Sequence, residues 1–311
     1  MKLLLFGANG QVGWELRRSL ATLGDVDPVD RTRCDLASPD AVRNTIRQAG
    51  PQLIVNAAAY TNVDKAESEK DLAMRINGLA PGVMAEESHR MGIPLVHYST
   101  DYVFDGKQSR PYLETDAVAP VNSYGYSKLQ GEEAVRAGTD QHLLLRTSWV
   151  YAARGKNFLL TMLRLARQKT ELKVVSDVLG APTWARMIAD ATALALMRSL
   201  DRRWPPHTRF RDGCAGTYHL TASGSTSWAG FAKQIFNAAC PDLAPDGVRL
   251  LPILAREYPA PATRPSNSVL ANERLAQAFG LSLPDWRVGV DLCVAELRES
   301  RAAGQGVGLA G

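Results

Sequence analysis

Leu3-Leu4-Leu5-Phe6-Gly7-Ala8-Asn9-Gly10-Gln11-Val12-Gly13 is the stretch that decides the fold. Its four consecutive apolar residues read as a central parallel strand covered on both faces. Glycines follow at i, i+3 and i+6, and Val12–Leu23 then carries apolar residues at helical spacing. Gly7 permits a tight turn, Gly10 lets backbone approach a pyrophosphate, and Gly13 lets the helix pack closely on the strand. The free N–H groups at the helix start then face the anion. Three glycines alone also fit a plain strand-to-helix turn. Their place at the start of a βαβ unit points to a dinucleotide.

The pattern continues outward from this unit. A short apolar segment, Val26–Val29, ends at Asp30 and Arg31. Asp30 lies roughly 20 residues beyond the glycines, where an acid binds ribose hydroxyls, while Arg31 can accept a 2′-phosphate. NADH and NADPH both remain open. Pro39–Gln48 reads as a helix with Ser38 as N-cap. Leu53–Ala59, Pro94–Ser99 and His142–Thr147 read as strands, and Asp71–Met91 and Ser123–Val135 as helices. This alternation predicts an α/β fold with a doubly wound parallel Rossmann sheet. After Trp149 the pattern loosens into the helix Asn157–Gln168, the strand Leu172–Val175 and the helix Met187–Ser199. The expected division is an NAD(P)-binding domain at 1–150, with segments returning from 185–222, and a smaller mixed α/β substrate domain at 151–300. The Gly/Ala-rich end, 301–311, reads as a flexible tail.

Composition removes several function classes. The 311 residues are 45% hydrophobic and 22% charged, a globular balance. The net charge of +4 comes from scattered basic residues, so nucleic acid is not an expected partner. No segment approaches the roughly 20 apolar residues that span a bilayer. Cys34, Cys214, Cys240 and Cys293 form no CxxC, which supports neither a metal site nor a disulfide framework. The apolar N-terminus reads as a first strand rather than a leader. Free thiols in the cytoplasm are the expectation.

Tyr124-Gly125-Tyr126-Ser127-Lys128 places a phenol and an ammonium four residues apart, on one helical face. A phenol with a pKa near 10 is a poor acid at neutral pH, and a nearby cation lowers it. Lys128 can also bond a nicotinamide ribose. Tyr126, two residues from Lys128, does not share its face. Upstream, Thr100 follows the strand ending at Ser99, at the carboxyl edge where such sheets bind ligands. Its hydroxyl can hold a carbonyl oxygen while Tyr124 protonates it; a turn cap is its structural alternative.

The glycine spacing and Tyr-x-x-x-Lys resemble the extended short-chain dehydrogenase/reductase family, in which Asp35-Leu36 fits the adenine-contacting position; a surface loop explains that pair nearly as well. Within it, several blocks resemble the dTDP-4-dehydrorhamnose reductases: Asn56–Glu67, Ser99–Gly106, Pro120–Gly125, Arg146–Tyr151, Gly180–Thr183, Arg264–Ser268 and Pro284–Trp286. The similarity runs from residue 1 to about 299. It implies a sugar-nucleotide-binding second domain and an NAD(P)H-dependent reduction of the C4 ketone of dTDP-4-dehydro-β-L-rhamnose. That is the last step in supplying rhamnose to bacterial surface polysaccharide, such as lipopolysaccharide O-antigen.

By the same resemblance, Gly7, Asn9, Gly10, Gln11, Val12 and Gly13 form the cofactor turn. Ala57, Ala58 and Tyr60 line the path to the nicotinamide. Thr100, Tyr124 and Lys128 are catalytic, and Asp101, Tyr102, Val103 and Trp149 lie beside the sugar. Trp149 reads equally well as a core residue. Some relatives dimerise through Mg²⁺ held by three glutamates. Glu15 and Glu296 fit two of those positions, but Arg186 stands at the third, so Mg²⁺ is not expected, and a monomer or a metal-independent dimer is. Dehydratases of the wider family carry Thr-Asp-Glu where this chain has Thr100-Asp101-Tyr102. The remaining alternatives are an epimerase, or a non-catalytic binding subunit.

Overall fold

In a computed structural model of the chain, residues 1–201, 208–239 and 248–302 are described, Arg301 and Ala302 by backbone alone. Five strands, β1 (Lys2–Phe6), β2 (Asp25–Val29), β3 (Leu53–Asn56), β4 (Leu95–Thr100) and β5 (His142–Thr147), lie parallel with a sixth, Gly216–His219. Their order across the sheet is β2-β1-β3-β4-β5 and then Gly216–His219. The chain steps from β1 to β2 in one direction and returns past β1 to reach β3. The winding therefore reverses between β1 and β3, and the crevice beyond their carboxyl ends is where such sheets bind ligands.

Period-two alternation divides the strand residues between two faces. Leu3, Leu5, Val55, Val96 and Leu145 pack with Leu16 and Leu20 of α1 (Gln11–Leu20). Leu4, Phe6, Ile54 and Leu95 pack on the other face with Val42 and Ile46 of α2 (Pro39–Ala49). Ser38 caps α2 as expected, its hydroxyl accepting from the Ala41 N–H. Beyond β3 come α3 (Val63–Ala66), α4 (Lys70–Met74) and α5 (Ala80–Met91), and α6 (Ser123–Gly138) follows β4. The expected single helix 71–91 is instead interrupted by a π-helical turn, Arg75–Leu79. The expected strand 53–59 ends at Asn56, whose side-chain carbonyl accepts the Ala58 N–H and turns the chain outward.

Past Trp149 the chain builds two things. Helix α7 (Phe158–Ala166), α9 (Trp228–Ala239) and α11 (Trp286–Ala302) share a separate apolar cluster containing Leu159, Phe231, Ile235, Trp286 and Val290. The strands Glu171–Val175 and Arg249–Ile253 pair in parallel beside it. Helix α8 (Ala185–Ser199) returns to the sheet, with Ile188 and Leu196 in the sheet's own cluster and the Ser19 hydroxyl donating to the Ala189 carbonyl. Helix α10 (Glu273–Phe279) returns as well, through Leu275 and Phe279, a contribution outside the expected 185–222. Its seven residues are too few to show which core they join.

Cys34, Cys214 and Cys293 are free thiols; Cys240 and residues 303–311 of the expected tail lie outside the described residues. Among the described residues no helix is long and apolar enough to cross a membrane.

Candidate active site

The glycine turn closes on itself and on β3. Gly7 has φ +77°, and a Cβ there would lie 2.6 Å from the Ala58 nitrogen. A Cβ on Gly13 would lie 2.0 Å from the Gly7 carbonyl oxygen. Gly10 caps α1 without any side chain, and the first turn of α1 carries no acidic residue. This leaves a backbone cradle at a helix N-terminus, the chemistry a pyrophosphate requires. The residues present therefore fit a dinucleotide.

Side chains around the turn are tied to one another. The Asn9 amide donates to Asp30 Oδ2 at 2.7 Å, while Asp30 Oδ1 accepts from the Thr32 hydroxyl and N–H. These bonds, the Thr32 hydroxyl first, hold the Asp30 carboxyl below its usual range. Arg31 and Asp35 are exposed, and Leu36 packs partly against the α2 cluster. Val12 is half-buried against the α1 cluster. Gln11 Oε1 accepts from Asn157 Nδ2 at 2.8 Å, joining the turn to the residue that caps α7. Tyr60, expected beside the nicotinamide, donates its hydroxyl to Glu69 at 2.5 Å and is pushed up to about 12 by that carboxylate.

Thr100 ends β4 and caps a single 3₁₀ turn, its hydroxyl oxygen accepting the Tyr102 N–H while its proton goes to Asp101 Oδ1 at 3.0 Å. Thr100 is thus a cap at the carboxyl edge of the sheet. Helix α6 begins at an Asn122 cap that accepts the Gly125 N–H at 2.8 Å. Gly125 is what lets α6 sit against the Thr100 turn, because a Cβ there would lie 2.2 Å from the Tyr102 carbonyl. Tyr124 is thereby brought to Thr100, with the Tyr102 ring edge-on to it at 5.9 Å. Tyr126 points out to solvent. Burial raises the Asp101 carboxyl to about 7, and its Oδ2 has no hydrogen-bond partner among the described residues.

One electrostatic expectation is corrected. Burial pushes the Tyr124 phenol up to about 12; Thr100 opposes the rise and Asp101 adds to it. Lys128 is not among the groups that move this phenol: its Nζ donates to the Tyr98 carbonyl at 2.6 Å and lies 3.4 Å from His97 Nε2. Burial lowers Lys128 itself to about 8, against the pull of Glu132. A phenol that keeps its proton is still the form a reductase's acid requires.

Val103 does not face the crevice; its side chain is buried with Phe104, Tyr112, Leu129 and Leu270. Trp149 has a left-handed backbone, φ +44°, rare for a bulky residue. Its ring stacks on Trp228 at 3.7 Å, and a Cβ on Gly180 would lie 2.4 Å from it. It is thus part of the α9 cluster, yet its buried Nε1 has no partner among the described residues. Residue-by-residue reading missed the buried polar supports. Asn77, in the π turn, exchanges hydrogen bonds with the Tyr60 backbone and donates to Ser127. Arg264 pairs with Asp64 at 2.9 Å and the Asn122 amide donates to the Thr263 carbonyl, tying residues 263–264 to α3 and to the start of α6. Asn122 carried a signal as a cap-type residue before a helix; the others pair across distances that no local pattern encodes.

Beside the middle of α1, Arg186 donates to both Glu15 oxygens and to Glu296 Oε1. A guanidinium occupies the place between the two carboxylates, so these residues do not fit a divalent cation. Among the described residues no group of three or more His, Cys, Asp or Glu could hold a metal ion.

A doubly wound sheet, a glycine-rich turn at its first strand, and a Tyr-x-x-x-Lys helix against a strand-end threonine define an extended short-chain dehydrogenase/reductase. More particularly, residues 1–299 match the RmlD substrate binding domain family, and the chain belongs to it. It is 53% identical over 300 residues to a dTDP-4-dehydrorhamnose reductase of Burkholderia thailandensis, covering 96% of this chain and 99% of that one. The reductase of Escherichia coli K12 is 46% identical, covering 96% and 98%. Among solved structures, a Bacillus anthracis dTDP-4-dehydrorhamnose reductase in complex with NADP superposes with TM-score 0.85 at 34% identity, over 95% and 99% of the two chains.

Proposed function

We propose that this chain reduces the C4 ketone of dTDP-4-dehydro-β-L-rhamnose to dTDP-β-L-rhamnose, using NADPH or NADH. The observation that carries this reading is the meeting of Thr100 and Tyr124 at the carboxyl edge of β4, in a chain 53% identical to a reductase of that name. The Gly7–Gly13 turn, with Asp30, Arg31, Asp35 and Leu36 beside it, would hold the dinucleotide, which would supply the hydride for C4. Tyr124 gives its phenolic proton to the C4 oxygen, and Thr100 orients that oxygen. Lys128 supports Tyr124 and the nicotinamide ribose, beside Ala57, Ala58 and Tyr60. Asp101, Tyr102 and Trp149 face the sugar. The reading divides the chain into a cofactor domain of residues 1–150, completed by 185–222 and α10, and a sugar-nucleotide domain from 151–300. Arg186 supports a monomer or a metal-independent dimer.

The test is oxidation of NADH and of NADPH with dTDP-4-dehydrorhamnose beside its UDP counterpart. Stoichiometric consumption with the dTDP sugar is expected. Turnover without net consumption would make the chain an epimerase, and none at all would leave a binding subunit. Tyr102, where a dehydratase carries a glutamate, argues against elimination.

A further inference from the structure

Lys128 is buried to within 1% of its surface, and what surrounds it is specific. From β4 it meets His97 and the Tyr98 carbonyl. Along its own helix the charged neighbour is Glu132, which is already engaged by Arg146 of β5 and by Arg136. His97 is wholly buried, and its other nitrogen, Nδ1, lies 3.0 Å from Asn56 Nδ2. The orientation of the Asn56 amide is not free. Its carbonyl oxygen is committed to the Ala58 N–H at 3.1 Å, so its NH₂ must face His97. Nδ1 must then accept. A neutral imidazole that accepts at Nδ1 carries its proton on Nε2, the atom facing Lys128.

We propose that His97, locked by Asn56 as the Nε2–H tautomer, is a positioning residue that favours the amine form of Lys128 over the ammonium. An N–H dipole aimed at an ammonium repels it; aimed at an amine, it donates to the lone pair. Asn56 and His97 thus set the proton affinity of a lysine that neither sequence motif nor helix spacing connects to them. Burial and the neighbouring Lys128 hold His97 well below the usual histidine range, consistent with a ring that stays neutral. The inference rests on Tyr124 and Lys128 being the working pair of the proposed reductase.

Two measurements test it. On the cofactor-free protein, ¹⁵N NMR of labelled histidine should show one ring neutral and protonated at Nε2 from about pH 5.5 to about 8.5, a window spanning the ordinary histidine pKa. The His97→Gln variant identifies that signal by its loss. A ring protonated at Nδ1, or one titrating in the window, overturns the proposal whether or not the enzyme turns over. The second measurement is the pH profile of kcat in Asn56→Asp. A carboxylate at this position can only accept, so it forces the proton onto Nδ1 and turns the Nε2 lone pair toward Lys128. The alkaline limb should then move up by about one pH unit, an ordinary environmental shift. An unmoved limb in a folded variant with the wild-type cofactor affinity refutes the coupling. Absence of turnover in the wild type would instead count against the reductase reading and leave the NMR result to decide the tautomer.

Discussion

On the sheet side of the crevice, functional groups are placed by backbone meeting backbone. Gly7 abuts Ala57 and Ala58, Gly13 abuts Gly7, and Gly125 abuts Tyr102, each at a separation that leaves no room for a Cβ. On the side proposed for the sugar, side chain meets side chain: Trp149 stacks on Trp228 and its ring lies over Gly180, while Arg264 reaches Asp64. The first wall is rigid by geometry, and its glycines recur at fixed spacing. The second depends on pairs far apart in sequence, with an aromatic residue held in a left-handed backbone at its centre. Small changes should therefore act abruptly on the first wall and gradually on the second.

The sharpest test of the first wall is chemical. Tyr124→Phe removes the proton donor and keeps the ring that meets Tyr102. Turnover should fall by about 10²–10⁴-fold, the range for loss of a general acid. Dinucleotide affinity, measured by nicotinamide fluorescence, should hardly change. Turnover equal to the wild type would remove Tyr124 from the reaction. Gly13→Ala tests the packing instead. With a carbonyl oxygen 2.0 Å away the turn must open, at a cost of about 1–3 kcal/mol, and dinucleotide affinity should drop by about ten- to a hundredfold. Unaltered affinity in calorimetry would mean that the turn is not the cofactor cradle.

Gly180→Ala puts the same kind of Cβ against the second wall, 2.4 Å from the Trp149 ring. An indole can shift where a backbone carbonyl cannot. KM for the sugar nucleotide should rise about tenfold, the scale of one displaced contact, with dinucleotide affinity unchanged. The two alanines thus separate the walls: each should move one ligand only, and a variant that moved both would merge them.

The same contrast explains what could be read in the sequence. Strand-turn-helix order, the glycine positions, and the Tyr124–Lys128 spacing are local, and each was legible because backbone regularity fixes its consequences. The break of the helix after Met74 was not, because the π turn that carries Asn77 to Ser127 has no periodic signature. Nor was the behaviour of Lys128: spacing puts it near Tyr124, but the Tyr98 carbonyl that accepts its hydrogen bond lies on another element. Trp149 lies in the core cluster of α9, a placement that composition cannot give.

Lys128 also gives the comparison a pH axis. Lowered to about 8 by burial, it loses its charge as pH rises through that value, and kcat should decline there if the ammonium supports Tyr124. Stability responds with the opposite sign. Between about 8 and the usual lysine pKa the unfolded chain holds a proton that the folded chain does not, so this group's contribution to stability rises with pH. Kinetics and thermal melts across that window should diverge; a parallel fall would assign the activity loss to unfolding.

The smallest expected effect lies where the two halves join away from the crevice. Arg186 opens α8, which packs on the sheet, and holds Glu15 of α1 together with Glu296 of α11. With its side chain about a third exposed, the bridge is screened, and Arg186→Gln should cost only about 1 kcal/mol. In a chain of this size that is a Tm lower by about 2–4 °C. If the guanidinium fills a place that a dication would otherwise take, EDTA should leave the wild-type melting curve and its light-scattering mass unchanged. The glutamine variant, with two carboxylates released, should recover part of its loss when Mg²⁺ is added. A wild type that loses mass or stability in EDTA would show that the carboxylates serve a metal despite Arg186.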